Sequence, residues 1–369
     1  MSGSGPEYSP PRAAVELEAA VALMRDAIDA FELDLQGLTV LTESASGHFV
    51  WTPLLAATAG ARLVLALAAD SSHGTAHDVA AATLTGAAGL GVGARVAVTT
   101  ARDDPRLGET DVATNLGFVR PLDRGLLERL GSRAAVSLMC EPWELRPGDV
   151  DVGACRELGI PLLGTNEEDP RLKMFDYLPA IAAGLLAELD VPPAGARLVL
   201  VSSGKFAGAL RTGLREAGAE PVVFPPPLRR SDRAFQRAAA AADALIVADY
   251  PGAGPVLGEA AAYTPADLAA CNPGIRLAHI AGDVRREEVA AAGIRHAPAT
   301  FAPPGHMSVT AARLGPVPVI DLHCAGLKVG EALVRARRRG LHGREAELAV
   351  LESLPLALGF EHDAGGSGA

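Results

Sequence analysis

The chain has 369 residues, of which 49% are hydrophobic, 21% are charged and 4% are aromatic. This composition is typical of a folded globular protein, which excludes wholesale disorder, and the length predicts two or three domains. The formal net charge of −11 argues against a nucleic-acid-binding protein, which needs a positive surface to displace counterions from phosphate. The basic run at residues 335–339 predicts either a local basic patch or a solvated helix face.

Four cysteines lie far apart in the sequence, with no C-x-x-C pair and no histidine at zinc spacing: Cys140, Cys155, Cys271 and Cys324. This spacing disfavours a disulfide framework or a structural metal site and is typical of a reducing cytoplasm. No apolar run reaches the ~18 residues that cross a bilayer. We therefore expect a cytoplasmic protein without membrane contact, and disordered tails at residues 1–12 and 363–369, which are rich in Gly, Ser and Pro.

Short apolar runs alternate with helical patterns along the chain. The runs lie at residues 38–41, 61–68, 95–99, 134–139, 160–163, 197–201, 221–224, 244–248, 275–280 and 317–322. Apolar residues on consecutive positions are typical of strands that are covered on both faces. Between several of them, apolar residues recur at helical spacing, as in 123–130, 174–189 and 207–217. This alternation predicts an α/β fold with parallel sheets.

Two segments rich in Pro and Gly, residues 191–195 and 297–305, mark the predicted crossings between domains. We expect two Rossmann/flavodoxin-like parallel-sheet domains, with the second inserted into the first. Residues 13–190 and 306–362 would form a flavodoxin-like substrate domain. Residues 191–305 would form a Rossmann-like nucleotide-binding domain. The amphipathic segment 326–338 is expected to pack back against the first domain.

Polar or ionisable residues follow five strand ends in the first domain. They are Thr42, Glu43, Ser44 and His48, then Asp70, then Asn115 and Arg120, then Glu141, and finally Asn166 and Glu167. Ligands of open parallel sheets bind at the carboxyl ends of the strands, so these residues predict a polar substrate-binding cleft.

Several of these side chains suggest particular roles. His48 is a candidate general acid or base, with a helix-start residue satisfied by backbone contacts as the alternative. Glu43 and Glu141 are candidates for proton transfer or for binding a substrate ammonium group. The alternative is that each caps the start of a helix. Arg120 would pair with a substrate carboxylate through its planar fork, or form a structural salt bridge.

The segment 197–211, RLVLVSSGKFAGALR, predicts a strand that runs into a small-residue turn and opens a helix. Helix N-terminal amides in this setting can hold a pyrophosphate. The predicted cofactor-binding residues are Ser202, Ser203, Gly204, Lys205, Phe206 and Ala207. The three glycine positions of the dinucleotide fingerprint hold Ser202, Gly204 and Ala207, so the pattern is degenerate, and an ordinary turn is the alternative.

The acid that would bind the ribose hydroxyls of NAD is missing from the next strand end. Phe224 is followed there by three prolines and then by Arg229 and Arg230. The two arginines suit a 2′-phosphate, or they are surface charges. The cofactor expectation is therefore NAD or NADP.

Two histidines near the C-terminus complete the candidate set. His306 lies in the Pro- and Gly-flanked segment PPGHMS, in a loop returning between the domains, which makes it a candidate catalytic proton carrier facing an interdomain cleft. His323 is a candidate substrate-binding residue, with core packing as the alternative. Its neighbour Cys324 is either a nucleophile or a buried residue that packs in the core. The second alternative is favoured because nothing near the thiol lowers its pKa.

These segments resemble the superfamily that joins formate and D-2-hydroxyacid dehydrogenases with S-adenosylhomocysteine hydrolase. The run at 154–167, ACRELGIPLLGTNE, and the helix after it are similar to the Asn-ending strand and domain-linking helix of the dehydrogenases. The turn at 202–208 is the next match. Residues 305–308, GHMS, resemble the Gly-His-Pro-Ser loop of the hydrolase, and residues 42–52 resemble its substrate-binding start.

The resemblance implies a Rossmann domain inserted into a flavodoxin-like one, NAD-linked chemistry on a small molecule, and a homodimer or homotetramer. Two features depart from it. The strand-end Arg of the dehydrogenases is absent from the comparable segment 278–285, AHIAGDVR, and the NAD-binding C-terminal tail of the hydrolase is absent. The dehydrogenase catalytic set is therefore not transferred to this chain.

Three hypotheses follow. The first is an NAD(P)-dependent oxidoreductase acting on a small polar metabolite in the interdomain cleft. The second is a hydrolase- or lyase-like enzyme of the same fold, with tightly held NAD or a degenerate, cofactor-free nucleotide site. The third is a binding protein without acid–base residues in its cleft.

Overall fold

The computed structural model describes residues 10–252 and 254–360, with side chains described from residue 17 onwards. The chain forms two compact units. The first unit comprises Met1–Leu172 and Pro316–Ala369, and the second comprises Lys173–Gly315. The predicted insertion of one domain into the other is therefore confirmed. The divisions fall near residues 172 and 315 rather than 190 and 305.

The strands are β1 (Thr39–Glu43), β2 (Leu63–Leu67), β3 (Val96–Thr99), β4 (Val112–Thr114), β5 (Ala135–Ser137), β6 (Leu162–Thr165), β7 (Arg197–Ser202), β8 (Glu220–Phe224), β9 (Ala244–Ala248), β10 (Pro255–Leu257), β11 (Arg276–Ala281), β12 (Asp283–Val284), β13 (Arg295–Ala297) and β14 (Ala357–Leu358).

The helices are α1 (Pro10–Phe31), α2 (Trp51–Thr58), α3 (Ala76–Gly89), α4 (Arg124–Leu127), α5 (Val152–Glu157), α6 (Leu178–Glu188), α7 (Gly204–Glu216), α8 (Arg233–Ala241), α9 (Pro265–Cys271), α10 (Arg286–Ala291), α11 (Val317–Arg338) and α12 (Gly343–Ser353). Helix α6 packs on α7 and β11, which explains why the unit boundary precedes it.

The first unit is built on a seven-stranded sheet in the order β3-β2-β1-β4-β5-β6-β14. Strands β1 to β6 are parallel, and β14 runs antiparallel to β6. The order 3-2-1-4-5-6 is the one found in dinucleotide-binding folds. It places the topological switch point, where the connections leave in opposite directions, between β1 and β4.

The second unit contains a five-stranded parallel sheet in the order β13-β11-β9-β7-β8, while β10 and β12 form a separate pair. When the five strands of this sheet are numbered in chain order, this is the flavodoxin-like order 2-1-3-4-5, with its switch point between β7 and β9. The two strand orders are thus the reverse of the assignment made from sequence. Apolar runs report that a strand is buried but not which strands are its neighbours.

Nine of the ten predicted apolar runs contain or overlap a strand of the structure. Residues 317–322, predicted as a strand, instead begin the 22-residue helix α11. A short apolar run does not by itself separate a strand from a buried helix, and Pro318 is compatible with a first helical turn. No apolar run was predicted over strand β4, although Asn115, which follows this strand, was expected to lie at a strand end.

Helix α11 packs against β4, β5 and β6, as expected for the segment 326–338. Arginines of the basic run at 335–339 form hydrogen bonds and ion pairs with other residues of the first unit. Arg337 is buried and donates to the carbonyl oxygen of Ser132 at 2.7 Å, and Arg335 pairs with Asp34 at 2.8 Å. These contacts contradict both a free basic patch and a wholly solvated face.

Helix α1 begins at Pro10, so residues 10–12 of the predicted N-terminal tail are helical. The remaining tail residues, 1–9 and 363–369, lie outside the described residues. Within residues 10–252 and 254–360, no helix is long and apolar enough to cross a membrane. The four cysteines are free thiols.

Candidate functional site

The switch point of the first unit lies between the carboxyl ends of β1 and β4. Glu43 is the last residue of β1, and the loop containing Gly117 and Phe118 follows β4. Loops that separate at a switch point leave a crevice where ligands of α/β sheets bind. This position therefore gives Glu43 the best placement of the predicted catalytic residues.

The Glu43 side chain is only 5% exposed. Its Oε2 accepts a hydrogen bond from the backbone N–H of Phe118 at 3.3 Å. Burial raises the pKa of Glu43 from 4.5 to about 7, against the opposing effect of that bond. A carboxyl group that titrates near neutrality can both donate and accept a proton at physiological pH.

Gly117 is a site residue that the sequence reasoning did not identify. Its φ is +24°, and a Cβ added there would overlap Oε2 of Glu43. Only glycine therefore lets this backbone close over the carboxyl group. The available signal was a glycine two residues after the polar strand end at Asn115.

His48 lies in a 3-10 turn, Gly47–Val50, that leads into α2. The side chain is half-buried and forms no hydrogen bond or ion pair with any residue that the structure describes. It therefore remains available as a proton carrier or ligand contact on the loop after β1.

Thr42 and Ser44, on either side of Glu43, are fully buried. The Thr114 hydroxyl donates to Oγ1 of Thr42 at 3.0 Å. The Ser44 hydroxyl donates to the carbonyl oxygen of Val79 at 3.0 Å. These contacts fix the end of β1 against its neighbours, so a positioning role replaces the predicted substrate contact.

His323 lies inside the first unit, 3% exposed, on α11. Its Nδ1 is 2.6 Å from Oγ1 of Thr52, and its ring centroid is 5.8 Å from that of Phe49. Burial lowers the pKa of His323 to about 3, so the ring is neutral at physiological pH. The core-packing alternative describes this residue better than substrate binding.

The ends of β4, β5 and β6 are joined by buried polar side chains. Oδ1 of Asn115 accepts from the Met139 N–H at 2.7 Å, which links the first two strand ends. Glu141 is fully buried, and its Oε1 accepts from the Glu167 N–H at 3.2 Å. Burial raises the pKa of the neighbouring Cys140 thiol well above its usual value, which makes it a poor nucleophile.

Three further predicted residues have structural partners. Arg120 pairs with Asp149 at 2.9 Å, in agreement with the salt-bridge alternative. Asp70 is exposed and accepts from the backbone at the start of α3 at 2.7 Å. Asn166 donates to the carbonyl oxygen of Pro355 at 3.2 Å, close to β14.

In the second unit, the predicted nucleotide turn lies at the switch point between β7 and β9. Ser203 and Gly204 are exposed, and Gly204 has a φ of +56° with nothing within 4 Å of where a Cβ would stand. The Ser203 side chain does not cap helix α7. The turn therefore presents an open backbone surface at a helix N-terminus, as a phosphate-binding turn requires.

The residues around this turn support its shape. The Ser202 hydroxyl donates to the carbonyl oxygen of Ala248 at 2.7 Å, which ties β7 to β9. Phe206 is buried and stacks on Tyr250 with a centroid separation of 5.5 Å. Ala207 donates its N–H back to the turn at 3.2 Å. The surface left for a ligand is the backbone around Ser203 and Gly204.

Lys205 is the cation of this turn, with its Nζ 5.3 Å from the ring centroid of Phe175. Of the two arginines expected at a 2′-phosphate, Arg230 pairs with Asp267 at 2.7 Å and lies over the ring of Tyr263. Arg229 is exposed, and its side chain has no ion pair within the described part of the chain.

His306 is exposed, and its Nδ1 is 3.3 Å from the carbonyl oxygen of Pro304. Its loop is anchored two residues later, where Ser308 donates its N–H to Ile280 at 2.7 Å. The anchor also includes His279, which was not predicted from the sequence as a site residue.

His279 is fully buried. Its Nε2 is 3.0 Å from the carbonyl oxygen of Gly282, which only accepts, so Nε2 carries the proton. Nδ1 then accepts from the Ser308 hydroxyl at 2.8 Å, and that oxygen accepts from the Ala302 N–H at 2.7 Å. Burial lowers the pKa of His279 to about 4, which keeps this chain of bonds neutral.

Comparison with solved structures finds several similar chains. A dipicolinate synthase chain from Bacillus subtilis has a TM-score of 0.50 at 12% identity, over 83% of this chain and 99% of that chain. The corresponding dipicolinate synthase chain from Bacillus halodurans has a TM-score of 0.47 at 13% identity, over 82% and 98%. An NAD-dependent formate dehydrogenase from Staphylococcus aureus, in complex with NAD, has a TM-score of 0.42 at 9% identity, over 81% and 95%.

No family model and no curated protein matches the chain. The likeness to the Bacillus subtilis protein, at this low identity, confirms the predicted fold of two parallel-sheet α/β domains. The reaction is a separate question, which depends on the site residues.

Proposed function

We propose that the chain is an NAD(P)-dependent oxidoreductase that acts on a small polar metabolite. The observation that carries this proposal is the open Ser203–Gly204 turn at the switch point of the second unit, directly before helix α7. An enzyme chain, that of the dipicolinate synthase from Bacillus subtilis, has a similar fold.

The residues of the turn fit the pyrophosphate of a dinucleotide. The space in front of Gly204 is free of protein atoms within 4 Å of a Cβ position. Lys205 adds a positive charge to a helix N-terminus that is already positive, an arrangement that a bound anion stabilises. Backbone amides near Ser203 and the Lys205 ammonium would hold the cofactor, and a bound nicotinamide supplies the hydride chemistry.

The residues that would contact the adenosine ribose do not distinguish NAD from NADP. No acid follows Phe224 at the end of β8, and Arg230 is already paired with Asp267. Arg229 is the one predicted ribose contact whose guanidinium remains unpaired in the described chain. The proposal therefore includes both NAD and NADP.

We assign proton transfer to Glu43. It is buried at the switch point of the first unit, and its pKa of about 7 suits exchange with a substrate hydroxyl or carbonyl. His48, in the turn that follows β1, is the second candidate. His306 is exposed, and its role as proton carrier in a shared cleft stays a prediction from sequence, as do the homo-oligomeric state and cytoplasmic location.

The test is a panel of small hydroxy and oxo acids incubated with each dinucleotide, read by the near-ultraviolet absorbance of the reduced nicotinamide. We expect turnover with at least one acid, and a kcat about 10²- to 10⁴-fold lower in Glu43→Gln. Glu157→Gln removes an exposed carboxylate from the same unit and should retain wild-type kcat. Turnover that is unchanged in Glu43→Gln would remove Glu43 from the mechanism.

A further inference from the structure

A cavity of about 320 Å³ opens at the amino edge of the first sheet. Its wall includes Arg62, which precedes β2, Thr110, which precedes β4, and Arg133, which precedes β5. Arg338, the last residue of α11, lines it as well. Glu43 ends β1 at the opposite, carboxyl edge, so this cavity is separate from the proposed catalytic position.

The wall of the cavity carries an unbalanced positive charge. Arg62 pairs with Glu109 at 2.9 Å, and Arg338 lies 3.6 Å from Asp111. Arg133 is the third guanidinium of the wall, and it has no hydrogen bond or ion pair with any residue in 17–252 or 254–360. Two of the three arginines of the wall therefore lie beside a carboxylate of the protein, whereas Arg133 does not.

Thr110, a residue of the same wall, has a buried hydroxyl group that also lacks a partner. Thr110 is 1% exposed, and its Oγ1 makes no hydrogen bond to any described residue. A buried polar group without a hydrogen-bond partner destabilises the folded state. A Cβ at Gly131 would stand 2.5 Å from the Thr110 carbonyl oxygen, so a glycine is what lets the two loops approach so closely.

We propose that this cavity binds a small oxyanion, the phosphate or carboxylate group of a metabolite. A guanidinium is a planar donor that suits both groups, and a hydroxyl can add a further hydrogen bond. The volume lies at the lower end of the range for small-molecule sites. The Arg133 charge and the Thr110 hydroxyl then gain partners that the protein does not supply.

The probe is inorganic phosphate, titrated calorimetrically into the full chain. Arg133→Gln removes the unmatched charge, and Arg129→Gln is the matched control. Arg129 is also exposed and without an ion pair in the described chain, but it is not part of the cavity wall. Phosphate binding at the nucleotide turn of the second unit is the same in both variants, so their difference reports the cavity.

We expect Arg129→Gln to bind phosphate as the wild type does, and the Kd of the cavity site to rise about tenfold or more in Arg133→Gln. Equal phosphate affinity in the two variants would overturn the proposal.

Thr110→Val is the second variant, because it keeps the shape of the side chain and removes the unpaired hydroxyl. Without phosphate, its Tm should equal or exceed that of the wild type. The rise in Tm on adding phosphate should be smaller than in the wild type. A phosphate-dependent rise identical to that of the wild type would contradict the role given to Thr110.

Discussion

The two units place different chemistry at the same position of a parallel sheet. In the first unit, the switch point holds the buried carboxyl group of Glu43, and Gly117 closes over it. In the second, the switch point holds the exposed Ser203 and Gly204, with open space in front of the glycine. A glycine with positive φ therefore lies against a buried carboxyl group in one unit and in an open, exposed turn in the other.

The largest difference between the two switch points is expected when each glycine is replaced by alanine and the losses of stability are compared. In Gly117→Ala, the new methyl group displaces the Glu43 carboxyl and the positive φ is strained, so we expect the free energy of unfolding to fall by about 3 kcal/mol. In Gly204→Ala only the strain applies, about 1–2 kcal/mol. Urea unfolding measures both. Equal losses would show that the two switch points do not differ in packing.

The next largest effect is the pH dependence that Glu43 gives to the first unit. Its pKa is raised from 4.5 to about 7 on folding, so the folded chain keeps a proton that the unfolded chain releases. Stability from this group is complete below pH 4.5 and is lost as pH rises to 7, by about 3 kcal/mol. Glu43→Gln should therefore be more stable than the wild type at pH 8, with the gain vanishing near pH 4.

The control for that experiment is Glu157→Gln, which removes an exposed carboxylate of the first unit. Its stability relative to the wild type should stay nearly constant over the same pH range. A Glu43→Gln difference that is equally constant would contradict the buried, raised-pKa carboxyl.

The smallest effect concerns the anchored loop of the second unit. Ser308→Ala leaves the Ala302 N–H and Nδ1 of His279 without partners, and we expect a loss of about 1–2 kcal/mol. Ser203→Ala removes an exposed hydroxyl that caps nothing and should change stability by less than about 0.5 kcal/mol. Thermal unfolding compares the two. A Ser308→Ala loss no greater than that of Ser203→Ala would contradict the anchor.

The sequence predicted the parts of this molecule that depend on local pattern. The buried strands, the turn at Gly204 and the strand-end position of Glu43 follow from runs of apolar residues and the small or polar residues after them. The order of strands does not, because it depends on contacts between distant segments. For the same reason, the pairing of Arg120 with Asp149, the His279 anchor and the closure of Gly117 over Glu43 became visible only in the structure.

The central claim is that the open turn of the second unit binds a nicotinamide dinucleotide. Its most direct test is the fluorescence of NADH and NADPH titrated with the wild type, with Gly204→Ala, and with Gly208→Ala, a control on the exposed side of α7. We predict saturable binding to the wild type and to Gly208→Ala, and at least about tenfold weaker binding to Gly204→Ala, since the added methyl group occupies the ligand's space. No binding of either dinucleotide at millimolar concentration would contradict the claim.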